Sequence, residues 1–342
     1  MILFYAEAGP ETGSGHVMRS LSIAEASEEK CIFISFGREA SDMVSARGYE
    51  TERPGCADRA AALVSLVTGS GASVLFVDDY DISPEGMQRI KNCCEAAGCL
   101  LVYMDDLFRA LPCHVLVNYN IYAERDAYEK LYAGGELPRL LLGPGYAPLR
   151  KEFSEAAIRK IPEKAGKILI SAGGADPAHI SLELLKRIAA DGREYAFVIG
   201  ALNPDKEEIY ELAGSRSNVR LYENVNNMSE LMSEADLAIS AAGSTLYELC
   251  ATGCPALTYV LADNQKAGAE GFAERGLMEY CGDSREEGSG KLAEKLLESA
   301  ASLAEDKERR LYMSTAMRDV SDGKGAGRIL EEVFDRKGRN VI

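Results

Sequence analysis

The sequence predicts an α/β protein built from two doubly wound, parallel-sheet domains. Short apolar runs of strand length alternate with longer segments of helical period along nearly the whole chain. The series starts afresh once, where the apolar run Lys167–Ser171 leads into a glycine-rich turn as Met1–Tyr5 does at the beginning. The 342 residues, 46% hydrophobic and 27% charged, suffice for two ordinary globular cores.

In the first half the expected strands are Met1–Tyr5, Lys30–Phe36, Ser73–Val77, Leu100–Met104 and Val115–Val117. Helices are expected between them, among them His16–Glu28 and Pro84–Ala97. The second half continues from Lys167–Ser171 with strands Tyr195–Ile199, Val219–Tyr222, Leu237–Ile239 and Ala256–Tyr259. Its intervening helices are Pro177–Ala190, Asp205–Ala213, Ser229–Glu234 and Ser244–Ala251. Alternation on this scale implies parallel sheets covered by helices on both faces. The break is expected near Gly143–Ala165, where Gly-Pro-Gly-Tyr-Ala-Pro precedes a charged, helix-like stretch. The division is therefore a domain over 1–150, a second over 151–290, and a charged helical tail over 291–342. The last helix of that tail is a candidate for packing back on the first domain.

A formal net charge of −16 argues against a nucleic-acid partner, because phosphate backbones select for stripes of Lys and Arg. It leaves room for a small phosphate-bearing substrate, which helix N-termini and one or two arginines can hold inside an acidic protein. Nine cysteines are scattered without a CxxC pair and read as buried core residues of a reduced protein. No basic segment followed by an apolar stretch and cleavage site opens the chain, and no apolar run is long enough to cross a bilayer. A cytoplasmic protein without membrane insertion is expected.

Four turns carry candidate chemistry. Gly13-Ser14-Gly15-His16-Val17-Met18-Arg19 follows the first strand. Gly13 and Gly15 permit a tight turn and close backbone approach to a ligand, and the helix begins there with its free N–H groups outward. A helix N-terminus disfavours imidazolium, so His16 suits a general base, and Arg19, one turn on, is expected to face the same way. The structural alternative is a ligand-free turn with a satisfied histidine. Ser171-Ala172-Gly173-Gly174-Ala175-Asp176-Pro177 follows the first strand of the second half, with Asp176 expected as N-cap and Pro177 as the first helical residue. Gly173 and Gly174 bring backbone close to a ligand there. In Ala241-Ala242-Gly243-Ser244-Thr245-Leu246-Tyr247-Glu248, the turn at Gly243 presents N–H groups and the Ser244 and Thr245 hydroxyls to a diphosphate. Glu248 is placed as an acceptor for ribose hydroxyls or, alternatively, as an acid near a helix N-terminus. Asn264 and Gln265 follow a strand at the same edge. In doubly wound sheets ligands bind at the carboxyl ends of the strands, so the site is expected in a cleft between two such edges.

Asp78-Asp79-Tyr80 and Asp105-Asp106 also end strands and are expected to line that cleft or to be hydrogen-bonded. No histidine or third acid stands at ligand spacing, so no metal is expected. His114 and His179 read as structural. Walker A, GxSxG and GxGxxG patterns are absent.

Taken in order, Gly13–Arg19, the acids with Tyr80, Val117-Asn118-Tyr119-Asn120, Gly143–Phe153, Gly243–Glu248 and Asn264-Gln265 resemble one family. They are similar to the PseG-type UDP-sugar hydrolases of pseudaminic acid biosynthesis and their spore-coat SpsG-type relatives, from the first strand to about Gly282. The resemblance implies the GT-B architecture, similar to MurG, with two Rossmann-like domains facing across a cleft. It implies hydrolysis of UDP-2,4-diacetamido-2,4,6-trideoxy-β-L-altropyranose to UDP and the free sugar, without metal or cofactor. By the same resemblance, His16 activates water for inverting attack at the anomeric carbon. Tyr80 and Asn264 position sugar or water, with Gly13, Gly15, Arg19 and Gln265 also on the substrate. Glu248 meets the uridine ribose, beside a nucleotide grip of Gly173, Gly174, Gly243, Ser244 and Thr245. No obligate protein partner is implied. Relatives usually carry Arg-Ala-Asp where this chain has Tyr5-Ala6-Glu7, which is expected to reshape the sugar pocket. The tail after Gly288 lacks the fused acetyltransferase of some relatives. The alternatives are a glycosyltransferase acting on an acceptor, a non-catalytic nucleotide-sugar binding protein and a nucleotide-sugar epimerase.

Overall fold

A computed structural model describes residues 1–8, 14–55, 57–157 and 159–339. The chain divides into two compact units, Met1–Lys151 with Gly323–Ile342, and Glu152–Asp322.

Unit 1 holds seven strands: β1 (Ile2–Ala6), β2 (Cys31–Ile34), β3 (Glu50–Glu52), β4 (Val74–Asp78), β5 (Leu100–Met104), β6 (Val115–Asn118) and β7 (Arg139–Leu142). All pair in parallel, in the order β3-β2-β1-β4-β5-β6-β7. Helices α1 (Gly15–Glu25), α2 (Arg38–Ala46), α3 (Arg59–Ser70), α4 (Pro84–Ala97) and α5 (Arg125–Leu131) connect them. Both faces of the sheet are covered, which is why β1 and β4 read as unbroken apolar runs rather than alternating ones. Side chains still alternate between the faces. Ile2 and Phe4 pack on one face with Val17 and Leu21 of α1. There Phe4 stacks between Phe33 and Phe76, with ring centroids 5.0 and 4.9 Å away. Leu3 and Tyr5 pack on the other face with Leu63 of α3 and Met87 and Ile90 of α4.

Helix α4 shows why some boundaries could be read from sequence. Ser83 caps it by accepting from the Gly86 amide at 3.1 Å, Pro84 opens it, and Gly98 ends it in the left-handed region at φ 65°. The Cys99 amide then donates to the Cys94 carbonyl at 2.8 Å, and both thiols are buried. This cysteine pair is the apolar closure of a helix C-terminus. The eight described cysteines are all free.

In unit 2, a short α6 (Lys151–Ser154) starts at the division, and the sheet comprises β8 (Lys167–Ser171), β9 (Glu194–Val198), β10 (Val219–Tyr222), β11 (Leu237–Ala241), β12 (Ala256–Val260) and β13 (Glu279–Asp283). The order is β10-β9-β8-β11-β12-β13, again all parallel. Its helices are α7 (Ile180–Arg187), α8 (Lys206–Gly214), α9 (Met228–Glu234), α10 (Thr245–Thr252), α11 (Asp263–Glu274), α12 (Ser284–Glu287), α13 (Ser289–Glu305) and α14 (Lys307–Val320). The last helix, α15 (Gly325–Arg339), belongs to unit 1, where Ile329, Leu330 and Val333 enter the α1 face of the core. Gly325 lies so close to the Gly143–Ala147 turn that a Cβ would stand 2.2 Å from the Ala147 carbonyl oxygen.

One expected boundary is corrected. Asp176 and Pro177 do not start α7, which begins at Ile180. Asp176 and His179 are left-handed, with φ of 44° and 57°, so the chain turns again before the helix. Asp176 nevertheless caps α7 from outside, accepting from the amides of Ile180 at 3.0 Å and Ser181 at 2.8 Å. Strands β3, β7 and β13, which apolar runs did not reveal, are three of the four edge strands of the two sheets, where less of each strand is buried.

Candidate functional site

In unit 1 the strand order reverses between β1 and β4, the switch point at which doubly wound sheets bind ligands. Helix α1 leaves β1 there and Asp78 ends β4. Three side chains meet at this point: His16, Arg19 and Asp78 are 5%, 8% and 0% exposed. Arg19 donates through Nε and Nη2 to the two oxygens of the Asp78 carboxylate, a bidentate fork on a fully buried acid. Its Nη1 donates to Asp106 Oδ2 at 3.1 Å and to the Tyr119 hydroxyl at 3.3 Å. The Tyr80 hydroxyl donates to the same Asp106 oxygen at 2.9 Å. His16 Nδ1 lies 3.6 Å from Asp78 Oδ1, ion-pair range but too long for a hydrogen bond. The His16 ring stands edge-on to Tyr80, with centroids 4.5 Å apart and planes at 89°. Burial, and then the Asp106 carboxylate, push the Tyr80 phenol well above its ordinary value, so it remains a proton donor.

A second layer holds these groups in place. Asp79 accepts from the Tyr5 hydroxyl at 3.0 Å and from Arg59 at 2.9 Å, and its other oxygen takes the amides of Asp81 and Ile82. Arg109 donates to the carbonyls of Tyr80 at 2.7 Å and Ile82 at 3.0 Å, stapling the loop that carries Tyr80. Burial raises the Asp105 carboxyl, which accepts from the Tyr128 hydroxyl at 2.5 Å. The Tyr5-Ala6-Glu7 departure finds its partners inside the fold. Tyr5 serves Asp79, and Glu7 takes the amides of Phe36 at 2.7 Å and Gly37 at 3.1 Å, fixing the turn that leads into α2.

Unit 2 has the same reversal, between β8 and β11. Gly173 and Gly174 follow β8, Gly243, Ser244, Thr245 and Glu248 follow β11, and Asn264 and Gln265 follow β12. These three strands are neighbours, so the loops are contiguous along one edge. Ser244 is exposed and makes no side-chain capping bond to α10, where the Leu246 and Tyr247 amides donate to the Gly243 and Ser244 carbonyls at 3.2 and 3.0 Å. Glu248 is half-buried in that first turn. Gln265 accepts from the Leu261 amide at 2.9 Å, while Asn264 beside it is exposed. Gly200, after β9, packs on the Gly173-Gly174 backbone, where a Cβ would lie 2.2 Å from the Gly174 oxygen. Three of the four described non-glycine residues at positive φ, Asp176, His179 and Asn224, also lie on loops leaving this edge. Strained backbone of this kind gathers at functional loops.

Of the residues picked out from sequence, His16, Arg19 and Tyr80 come together, Gly15 opens α1, and Gly13 lies outside the described residues. Arg19 faces the same way as His16, toward Asp78, and also reaches Asp106. Asp78 as the hub of the network, and Arg59 and Arg109 as anchors of its loop, were not anticipated. The available signal was the doubly wound strand order itself, which sets the first strand beside the fourth. Among the described residues no three His, Cys, Asp or Glu side chains converge as metal ligands, and no helix is long and apolar enough to cross a membrane.

Comparison with known proteins fits this geometry. Residues 172–323 match the glycosyltransferase family 28 C-terminal domain. The chain is 25% identical to the spore coat polysaccharide biosynthesis protein SpsG of Bacillus subtilis, over 97% of this chain and 98% of that one. It is 26% identical to the UDP-2,4-diacetamido-2,4,6-trideoxy-beta-L-altropyranose hydrolase of Campylobacter jejuni, over 82% of this chain and 98% of that one. Among solved structures, MurG of Acinetobacter baumannii superposes with a TM-score of 0.65 at 14% identity, covering 98% and 99% of the two chains. The fold is GT-B, each unit being one of its two Rossmann-like domains.

Proposed function

We propose that this chain is an enzyme acting on UDP-sugars, and specifically a hydrolase that splits UDP-2,4-diacetamido-2,4,6-trideoxy-β-L-altropyranose at the anomeric carbon. The free sugar then feeds pseudaminic acid synthesis. The observation that carries this reading is His16, at the opening of α1 on the switch point of unit 1, with Nδ1 toward the buried Asp78 carboxylate. A carboxylate on that side favours the Nδ1–H tautomer and leaves the Nε2 lone pair as the base.

In this mechanism His16 Nε2 takes one proton from water. The water oxygen bonds to the anomeric carbon from the side opposite UDP, and the bond to the β-phosphate oxygen breaks with its electron pair going to UDP. The charge developing on the diphosphate is met by the positive N-terminal end of α10 and the Ser244 and Thr245 hydroxyls, with the Gly173-Gly174 backbone following β8. Glu248 accepts from the ribose hydroxyls, and Asn264 and Gln265 serve the sugar. Arg19 acts indirectly, by holding Asp78 and Asp106. The Campylobacter relative's activity supports hydrolysis.

The test is UDP release from the purified protein with chelator present and no acceptor. His16→Ala should lower kcat by about a hundredfold or more, the scale of a lost general base, while calorimetry still detects UDP binding. Full activity in that variant would sink the mechanism. The match of 172–323 to a glycosyltransferase domain favours a second reading, in which His16 deprotonates an acceptor hydroxyl. Turnover only on adding an acceptor would select it.

A further inference from the structure

The hydrolase reading assigns a base but does not say why water, rather than a sugar or lipid hydroxyl, is the nucleophile. The Tyr80–Asp106 pair bears on that choice. Asp106 Oδ2 accepts from Arg19 at 3.1 Å and from Tyr80 at 2.9 Å. A carboxylate facing a guanidinium can only accept, so the phenol must donate, and its proton is committed to Asp106. What the phenol oxygen then offers a ligand is lone pairs alone. That oxygen belongs to a ring in edge contact with His16. The carbonyl of Tyr80 is pinned by Arg109 at 2.7 Å, so the ring's backbone cannot drift.

We infer that Asp106 is a positioning residue that selects water as the nucleophile, by holding Tyr80 as a pure hydrogen-bond acceptor beside His16. The inference rests on the hydrolase reading and deepens it. Water has two protons to place and an alcohol has one. At the point of attack one water proton passes to His16 Nε2. The other stays on the oxygen and is held by Tyr80 Oη, which turns the remaining lone pair toward the anomeric carbon. That second proton ends on the hydroxyl of the released sugar, and UDP leaves with the electron pair of the broken bond. An alcohol leaves the second acceptor unmet, a desolvated lone pair without a donor, which penalises it against water.

The experiment is a partition assay in buffered methanol–water with UDP-2,4-diacetamido-2,4,6-trideoxy-β-L-altropyranose, measuring free sugar and methyl glycoside. Asp106→Ala should lower kcat about tenfold with KM within about twofold, because the lost interaction orients the nucleophile rather than binds substrate. The ratio of methyl glycoside to free sugar should rise at least about threefold, since the released phenol no longer presents only lone pairs. Tyr80→Phe removes the acceptor while leaving Arg19 and Asp106 intact, and it should raise the ratio as well, so the test survives if Asp106→Ala does not fold. Asp106→Asn, whose amide oxygen still takes the phenol proton, should restore most of the wild-type ratio. An unchanged ratio in Tyr80→Phe, or an Asn variant as altered as Ala, would overturn the inference. Absence of UDP release from the wild-type protein in water would instead remove the hydrolase reading beneath it.

Discussion

The two sheet edges that carry candidate residues, one in each unit, share one topology and use opposite materials. At the β1/β4 reversal the candidate groups are side chains: Arg19, Asp78, Tyr80 and Asp106 joined by hydrogen bonds, with His16 beside Asp78 and the Tyr80 ring. At the β8/β11 reversal they are mostly main chain: the glycines 173, 174, 200 and 243, the first turn of α10, and left-handed residues on the adjoining loops. A side-chain network suits proton transfer, which needs a base of defined tautomer at a defined place. Backbone amides suit a diphosphate, which needs many weak donors and no titration. A turn that brings backbone close to backbone requires small residues at close spacing, whereas a side-chain network scatters its members along the chain.

The most severe test of this contrast is the buried ion pair of unit 1. Asp78→Ala leaves the Arg19 guanidinium buried without its bidentate partner and should cost about 3–5 kcal/mol in urea unfolding. A loss under about 1 kcal/mol, the scale of a surface pair, would mean the network is not the buried ion pair described here. Gly200→Ala tests the main-chain side. Its methyl would collide with the Gly174 carbonyl, so the loop must move, at about 1–3 kcal/mol of stability and with weaker UDP binding. Undiminished UDP affinity by calorimetry would show that the Gly173-Gly174 loop is not part of the grip.

Smaller still, Ser244→Ala should weaken UDP binding about fivefold, the worth of one hydrogen bond, with a lesser effect on kcat than His16→Ala. The reverse pattern would exchange the roles of the two edges. The last prediction concerns pH. Burial raises the phenols of Tyr5, Tyr80, Tyr103 and Tyr128 above their ordinary value of 10.0. Their folded-state values exceed the unfolded ones, so the folded protein holds these protons more tightly. Their stability contribution is complete below about pH 10 and is lost as pH rises above it. The urea midpoint should therefore not move on their account from about pH 7 to 9, and should fall beyond about pH 10. A midpoint that climbs in alkali would contradict the buried placement of these rings.

Sequence alone determined what depends on neighbours along the chain. Apolar runs alternating with helical periods identified the parallel sheets, because strands covered on both faces must be apolar throughout. The glycine turns marked the loops that follow β1, β8 and β11, since chain reversal at a helix start needs small residues whatever the partner. Ser83, Pro84 and Gly98 bounded α4 for the same local reason. Tertiary structure alone decided who meets whom. Arg19 finds Asp78, Asp106 and Tyr119 at separations of 59, 87 and 100 residues, and only the order β1-β4-β5-β6 brings them together. The inward turn of Arg19 follows, because a fully buried carboxylate such as Asp78 demands a cation more strongly than solvent does. The left-handed turns at Asp176 and His179 were hidden for a related reason. Local propensity disfavours them, and only the surrounding fold, through the Asp176 bonds to α7, holds the backbone there.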